Sequence, residues 1–286
     1  MSDTALTLVL AAALLHATWN LAAKGVGSSR IAFIWLYVVV SAVLWVPIGV
    51  LWVAVTGERP TWTWLGAAAV SSAFHIVYQL VLQRGYAEGD LNLVYPLARG
   101  TGPLLTFAVA VTVLGERPGA AAVAGVVAVV SGVLLIALGR SHGHPKSGTA
   151  WGAATGATIA SYTLWDNHAV TSLGVPPVPY FLLGILVQLP VMAVLVHRAH
   201  DPTPLLDVWR SNRGPVLAVA ICSPLAYILV LRAMQLAPVG LVATGREASI
   251  VVGALFGWLV LREPRPARRL VGAVVVLVGI GLIAVG

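Results

Sequence analysis

Charge is what this chain has least of. Only 9% of its 286 residues are Asp, Glu, Lys or Arg, while 59% are hydrophobic and the mean hydropathy is +0.92. Soluble domains carry about 25% charged residues, so a water-facing surface is excluded and an integral membrane protein is expected. The single cysteine, Cys222, rules out an intramolecular disulfide and gives no metal-ligand pattern. No GxSxG, HExxH, CxxC or Walker loop occurs. An enzyme, a cofactor, a bound metal and a nucleotide motor are therefore not expected. No Lys or Arg precedes the first apolar run, so the positive n-region of a cleaved signal peptide is missing and the first span is expected to be retained. The formal charge of +7 does not point to nucleic acid, because the basic residues are scattered between apolar blocks. They report topology instead.

What is present is a series of membrane-length blocks. A spanning helix needs about 20 apolar residues, and lipid admits only helices or closed barrels. The blocks show no period-2 alternation, so helices are expected. Together with the turn signals they predict ten spans, at about 4–23, 31–55, 62–85, 91–113, 119–139, 149–171, 178–197, 214–236, 239–261 and 268–285. The punctuation includes Gly25-Val26-Gly27, Gly57-Glu58-Arg59-Pro60, Gly89-Asp90, Pro176-Pro177, the stretch 201–214 and Pro264 to Pro266. All linkers are short, which leaves no room for a soluble domain. The loops on one side hold twelve Lys and Arg and those on the other only Arg59 and Arg117. The positive-inside rule then places both termini outside.

The chain also repeats itself. Arg99 maps onto Arg246, Glu116 onto Glu263, Gly125 onto Gly272 and Gly132 onto Gly279, each pair 147 residues apart. The expected division is a first five-helix repeat over 1–140, a connecting loop over 141–148 and a second repeat over 149–286. An odd number of spans per half inverts the second copy, the plan of many secondary transporters. The expected fold class is an all-α membrane protein of ten helices, two inverted five-helix repeats around a central cavity.

Polar residues inside the spans are costly and mark candidate function. His16, Asn20 and Lys24 stack on one face of the first span, with Trp19 beside them. Lys24 serves equally well as an interfacial anchor. His75, Tyr78, Gln79 and Gln83 share a face of the third span. Tyr95 and Arg99 lie one turn apart in the fourth, where Pro96 and Pro103 predict a kink or break. The sixth holds Tyr162, Trp165 and Asp166, with Asp166 either a buried counter-ion or a residue at the helix mouth. Tyr227 and Arg232 lie in the eighth, Arg232 near the interface. In the ninth, Glu247 follows Arg246 about 100° round the helix, so it requires a partner elsewhere or a proton. Glu116 and Glu263, at repeated helix ends, read as a shared turn device, and Gly152 with Gly156 and Gly253 with Gly257 as packing contacts.

Three features resemble the drug/metabolite transporter superfamily, EamA-like branch: HATWNLAAK (His16 to Lys24), YPLARGTGPLLT (Tyr95 to Thr106) followed by GERP, and LREP after the ninth span. The resemblance implies a secondary carrier, most often an exporter of amino acids or other small metabolites, with a cavity built from the first, third, fourth, sixth, eighth and ninth spans. It also implies cytosolic termini, contrary to the charge count. Small four-span relatives export cationic drugs with a first-helix glutamate, and this chain has His16 and Asn20 there. The expected protein carries an amino acid or organic anion across a bacterial-type inner membrane by alternating access, as a monomer or homodimer. Arg99 and Arg246 would offer guanidinium forks to a carboxylate or phosphate. Asp166, Glu247, His16 and His75 are the candidates for carrying a coupling proton. A lipid-intermediate flippase and a membrane-embedded enzyme are the competing classes.

Overall fold

The computed structural model describes residues 1–24, 26, 30–88, 91–137, 145–199, 204–259 and 267–286, and gives the backbone alone at 24, 30, 91–92, 96, 137, 145–146, 199, 254–259 and 267–269. Apolar blocks of this length have one way to satisfy their backbone in lipid, and the described residues form helices joined by turns, with no strand among them. Its elements are α1 (Asp3–Lys24), α2 (Arg30–Thr56), α3 (Trp62–Glu88), α4 (Leu91–Thr112), α5 (Ala120–Ala137), α6 (Pro145–Thr171), α7 (Pro177–Ala199), α8 (Leu205–Met234), α9 (Val239–Gly245), α10 (Ala248–Leu259) and α11 (Ala267–Val285). Five of them, α1, α2, α3, α7 and α8, are long and apolar enough to cross a membrane, and α5 and α11 are shorter apolar helices. The protein is a multi-pass membrane protein.

Two expectations need correction. The fourth span is not broken at its prolines but is one helix, α4, and a break falls instead in the ninth, between α9 and α10 at Arg246 and Glu247. This break is a tightened turn rather than an unwound stretch. The Glu247 and Ile250 N–H groups reach the Thr244 and Glu247 carbonyls at 3.0 and 2.9 Å, i→i+3 bonds that keep the backbone satisfied. α6 starts at Pro145, inside the stretch 141–148 expected as the connecting loop, and 138–144 lie outside the described residues. Most of the supposed linker before the eighth span is helix as well: α8 starts at Leu205 and passes through non-helical torsions only at Asn212, three residues before Pro215. Gly25, Gly27, Gly89, Asp90, Arg140, Asp201, Arg262, Glu263 and 264–266 lie outside the described residues, as do the side chains of Lys24, Lys146, Arg268 and Arg269.

Helix ends follow a common rule. Gly115 and Gly174 adopt φ of +72° and +65° just past α4 and α6. The next N–H, of Glu116 or Val175, then reaches back to the Ala110 or Ala169 carbonyl at 2.9 or 3.0 Å. This is a glycine-terminated cap that satisfies the last turn.

The repeated glycines meet each other. A Cβ at Gly125 would lie 2.6 Å from the Gly279 carbonyl oxygen, and one at Gly132 would lie 2.8 Å from that of Gly272. Gly272 and Gly279 face Gly132 and Gly125 at 2.9 and 2.7 Å in return. The sequence numbers run in opposite directions across the contact, so α5 and α11 pack antiparallel, backbone against backbone. Elsewhere α1 packs on α8 and α6 on α3, α2 packs on α7, and α4 lies against α6 and α9. The principal core is rich in alanine (Ala12, Ala67, Ala68, Ala110, Ala169, Ala226, Ala233), small residues that let helices approach where lipid offers no hydrophobic drive.

Glu116 fastens two of these elements. Its carboxylate accepts the Val239 and Gly240 N–H groups at 2.6 and 3.3 Å, binding the end of α4 to the unsatisfied start of α9. Only glycine fits at 240, since a Cβ would sit 2.9 Å from the Phe107 ring and 3.1 Å from Glu116 Oε2. The shared-turn reading therefore undersold Glu116, which joins elements 123 residues apart. Burial raises its carboxyl above the ordinary glutamate range, against the pull of the two N–H donors. A raised carboxyl binds its proton more tightly when folded, so stability falls as pH rises from the ordinary range through the raised value. The group is only about half buried, which keeps that effect small. Glu116→Ala is expected to cost about 1–3 kcal/mol. Glu116→Gln, whose amide oxygen still accepts, is expected to keep most of that and to flatten the pH profile of thermal unfolding.

Candidate functional site

Two buried polar centres lie among these helices. The first is built around the break in the ninth span. Glu247, 2% exposed, meets Arg99 of α4 at 3.0 Å (Oε2 to Nε), and Arg99 Nη2 donates to Ser249 Oγ at 3.0 Å. The partner that Glu247 required is therefore an arginine from the other half of the chain. The pair is in contact, yet the Arg99 Nε–H is not directed at the carboxylate, and neither atom has another hydrogen-bond partner. Arg246, 9% exposed, also has a buried Nε with no acceptor. The two arginines therefore differ: Arg99 is engaged, and the Arg246 Nε is open. His16 of α1 lies within electrostatic reach of both and contacts Trp19 edge-on at 4.9 Å. The buried Trp19 indole N–H likewise has no acceptor. With one carboxylate among two guanidiniums, and three N–H donors lacking acceptors, this centre is short of negative charge.

The second centre surrounds Asp166 of α6, which is 1% exposed. Its Oδ1 accepts from Ser71 Oγ of α3 at 2.6 Å and from Tyr180 Oη of α7 at 2.8 Å, and its Oδ2 accepts from Tyr227 Oη of α8 at 2.7 Å. Asp166 is buried, joins no ion pair among the described residues, and lies five residues before the end of α6. Next to it, His75 Nδ1 is 2.9 Å from the Ser71 carbonyl oxygen and 3.3 Å from Ser71 Oγ. The tautomer protonated at Nδ1 fits both contacts. The His75 ring stacks on Tyr162 at 4.2 Å and meets Tyr227 edge-on at 5.7 Å, and Tyr162 in turn meets Tyr78 at 5.5 Å. Tyr78 and Tyr162 both lie within electrostatic reach of Arg99. A bridge of aromatic rings thus links the two centres.

Of the residues singled out from the sequence, His16, Trp19, His75, Tyr78, Arg99, Tyr162, Asp166, Tyr227, Arg246 and Glu247 belong to these centres. Trp165 braces them, its indole donating to the Ala67 carbonyl at 2.9 Å. Tyr95, 41% exposed, lies within electrostatic reach of Arg99 as Tyr78 and Tyr162 do. Two others fall aside. Asn20 is exposed and spends its amide on the His16 carbonyl of its own helix at 2.7 Å. Gln79 lines a separate pocket of about 110 Å³ between α2, α3 and α7, with Ile31, Ile34, Gln83 and Met192. Arg232, exposed, receives no role beyond its 2.7 Å bond to Gln235. Ser71, Tyr180 and Ser249 were missed. Ser71 was findable, one turn from His75 on the same face, but Tyr180 and Ser249 carry no local signal.

No curated protein matches the chain. A solved crystal structure superimposes with a TM-score of 0.77 over 100% of this chain and 98% of the other, at 17% identity, a likeness of fold alone. Residues 146–285 match the EamA-like transporter family. Over those residues the chain is similar to a family of membrane transporters of the drug/metabolite transporter type, in agreement with the resemblance its motifs bear.

Proposed function

We propose that the protein is a secondary active transporter that carries a small polar metabolite, an amino acid or organic anion, by alternating access, in the direction of export across a bacterial-type inner membrane. The observation that carries this reading is the open Arg246 Nε beside the engaged Arg99–Glu247 pair. A buried guanidinium N–H without an acceptor is costly, and a carboxylate arriving from solution supplies the missing partner. Trp19 offers a second donor to the same solute. The anion clamp is thus one open arginine held by a second, rather than two equal forks.

Two inverted five-helix repeats, 1–140 and 149–286, rocking about these centres are the proposed machinery. Several features support this. Partners exchange under the repeat, so that α1 on α8 corresponds to α6 on α3, and α2 on α8 to α7 on α3. The α5–α11 contact is its own counterpart, Gly125 with Gly279 and Gly132 with Gly272. The Arg99–Glu247 pair lies between the halves, where a rocking motion would be felt. A solute can be chosen by thermal shift, since a ligand of the folded state raises its apparent stability. In proteoliposomes, Arg246→Ala is expected to weaken that solute about tenfold to a hundredfold, the loss of one charge-assisted hydrogen bond.

A further inference from the structure

The Asp166 centre differs in kind from the arginine centre. A buried carboxylate normally sits beside a cation or fixed N–H groups. Here the recorded partners are three hydroxyls, from α3, α7 and α8. A guanidinium or a backbone N–H can only donate. A serine or tyrosine hydroxyl can also accept. Ser71, Tyr180 and Tyr227 can therefore satisfy either a carboxylate, by donating to it, or a carboxylic acid, if one of them turns to accept its proton or lets go. The titratable groups facing Asp166 are His75 of α3, Tyr180 of α7, Tyr227 of α8 and, behind His75, Tyr162 of α6 itself.

A path for the proton is also present. His75 Nδ1, Ser71 Oγ and Asp166 Oδ1 are spaced at 3.3 and 2.6 Å. Asp166 lies five residues before the end of α6, and Tyr180 lies in the first turn of α7. The centre therefore sits toward the membrane face where α6 gives way to α7.

We propose that Asp166 is the site that binds the coupling proton, and that protonation there loosens the hydroxyl tethers joining α6 to α3, α7 and α8. The proposal rests on the carrier reading and selects one of its four coupling candidates. Glu247 is held by Arg99, whereas the hydroxyl partners of Asp166 can reverse. In the step itself, the Ser71 hydroxyl proton moves to Asp166 Oδ1 as the Nδ1 proton of a doubly protonated His75 replaces it. Aspartate becomes aspartic acid, imidazolium becomes imidazole, and Ser71 is unchanged. The new acid donates back to Ser71 Oγ, so that contact reverses, and its protonated Oδ1 is a poor acceptor for the Tyr180 hydroxyl, so that tether loosens.

The test is infrared difference spectroscopy of the purified full chain across a pH titration, read at the carbonyl band of protonated carboxyl groups. A buried-carboxyl band is expected to titrate reversibly, to disappear in Asp166→Asn and to persist in Glu247→Gln. Labelling aspartate carboxyls with carbon-13 in the wild-type chain is expected to shift the band, and needs no variant that must fold. Of the five aspartates, Asp166 alone lies within a predicted span, so the label is decisive. Tyr227→Phe is expected to move the midpoint about one pH unit upward, because the ionised form loses a donor; a purely structural tyrosine would leave it in place. No titrating band, or one unmoved by the label, overturns the proposal. Solute counterflow at equal pH on both sides checks the carrier reading separately, since it needs no proton gradient.

Discussion

Glu247→Ala is expected to destabilise the protein by about 3–5 kcal/mol, the cost typical of removing one partner from a buried ion pair. The variant leaves Arg99 beside Arg246 with no anion between them, both largely buried. Mutual repulsion then adds to lost desolvation energy. The measurement is the apparent unfolding temperature of the purified protein. The double variant Arg99→Met with Glu247→Leu is expected to recover much of the loss, because a pair of apolar side chains has no charge to desolvate. A loss of less than about 1 kcal/mol for Glu247→Ala would be the value of a solvated pair, and would contradict the burial of this one.

Gly132→Val should be comparably severe. Its Cβ would fall 2.8 Å from the Gly272 carbonyl oxygen, against backbone that cannot rotate aside, and Val276 crowds the same spot at 2.7 Å. Overpacking costs about 1–3 kcal/mol where side chains can rearrange, and more where two helices must separate. Because Gly125, Gly272 and Gly279 make the same kind of contact, valine at any of the four is expected to have the same effect. Gly281 is the control on the same helix. Nothing lies within 4 Å of its Cβ position, so Gly281→Ala should leave stability unchanged or raise it by about 0.5–1 kcal/mol, the helical preference for alanine over glycine. Equal loss at Gly281 and Gly272 would mean that α5 and α11 are not in close contact.

Much of the architecture was readable before any coordinates, for a simple reason. Helix length is fixed by bilayer thickness and turn chemistry is local, so the spans lie close to where apolar blocks and Gly-Pro punctuation put them. The glycines that meet across α5 and α11 stand out in sequence as well, being matched at a spacing of 147 residues. The errors share a cause. Prolines were expected to kink or break α4, and it is not broken. The chain breaks instead where Glu247 reaches Arg99, a tertiary demand that local propensity does not carry. Face periodicity grouped His75 with its neighbours on α3, but nothing in the spacing says that Asp166 is met by Tyr180 and Tyr227 from two other helices. Polar residues in spans announce that they have partners. They do not announce which.

The central claim is that the charges buried in this membrane protein serve a passing solute. The direct measurement is saturable counterflow of a thermal-shift-selected amino acid or organic anion in proteoliposomes holding wild-type, Arg99→Ala or Arg246→Ala protein. The account predicts saturable flux in the wild type, with Arg246→Ala raising the half-saturating concentration and Arg99→Ala abolishing flux along with the fold of the centre. Undiminished flux in both variants, or loss of labelled-lipid asymmetry without solute flux, would contradict it.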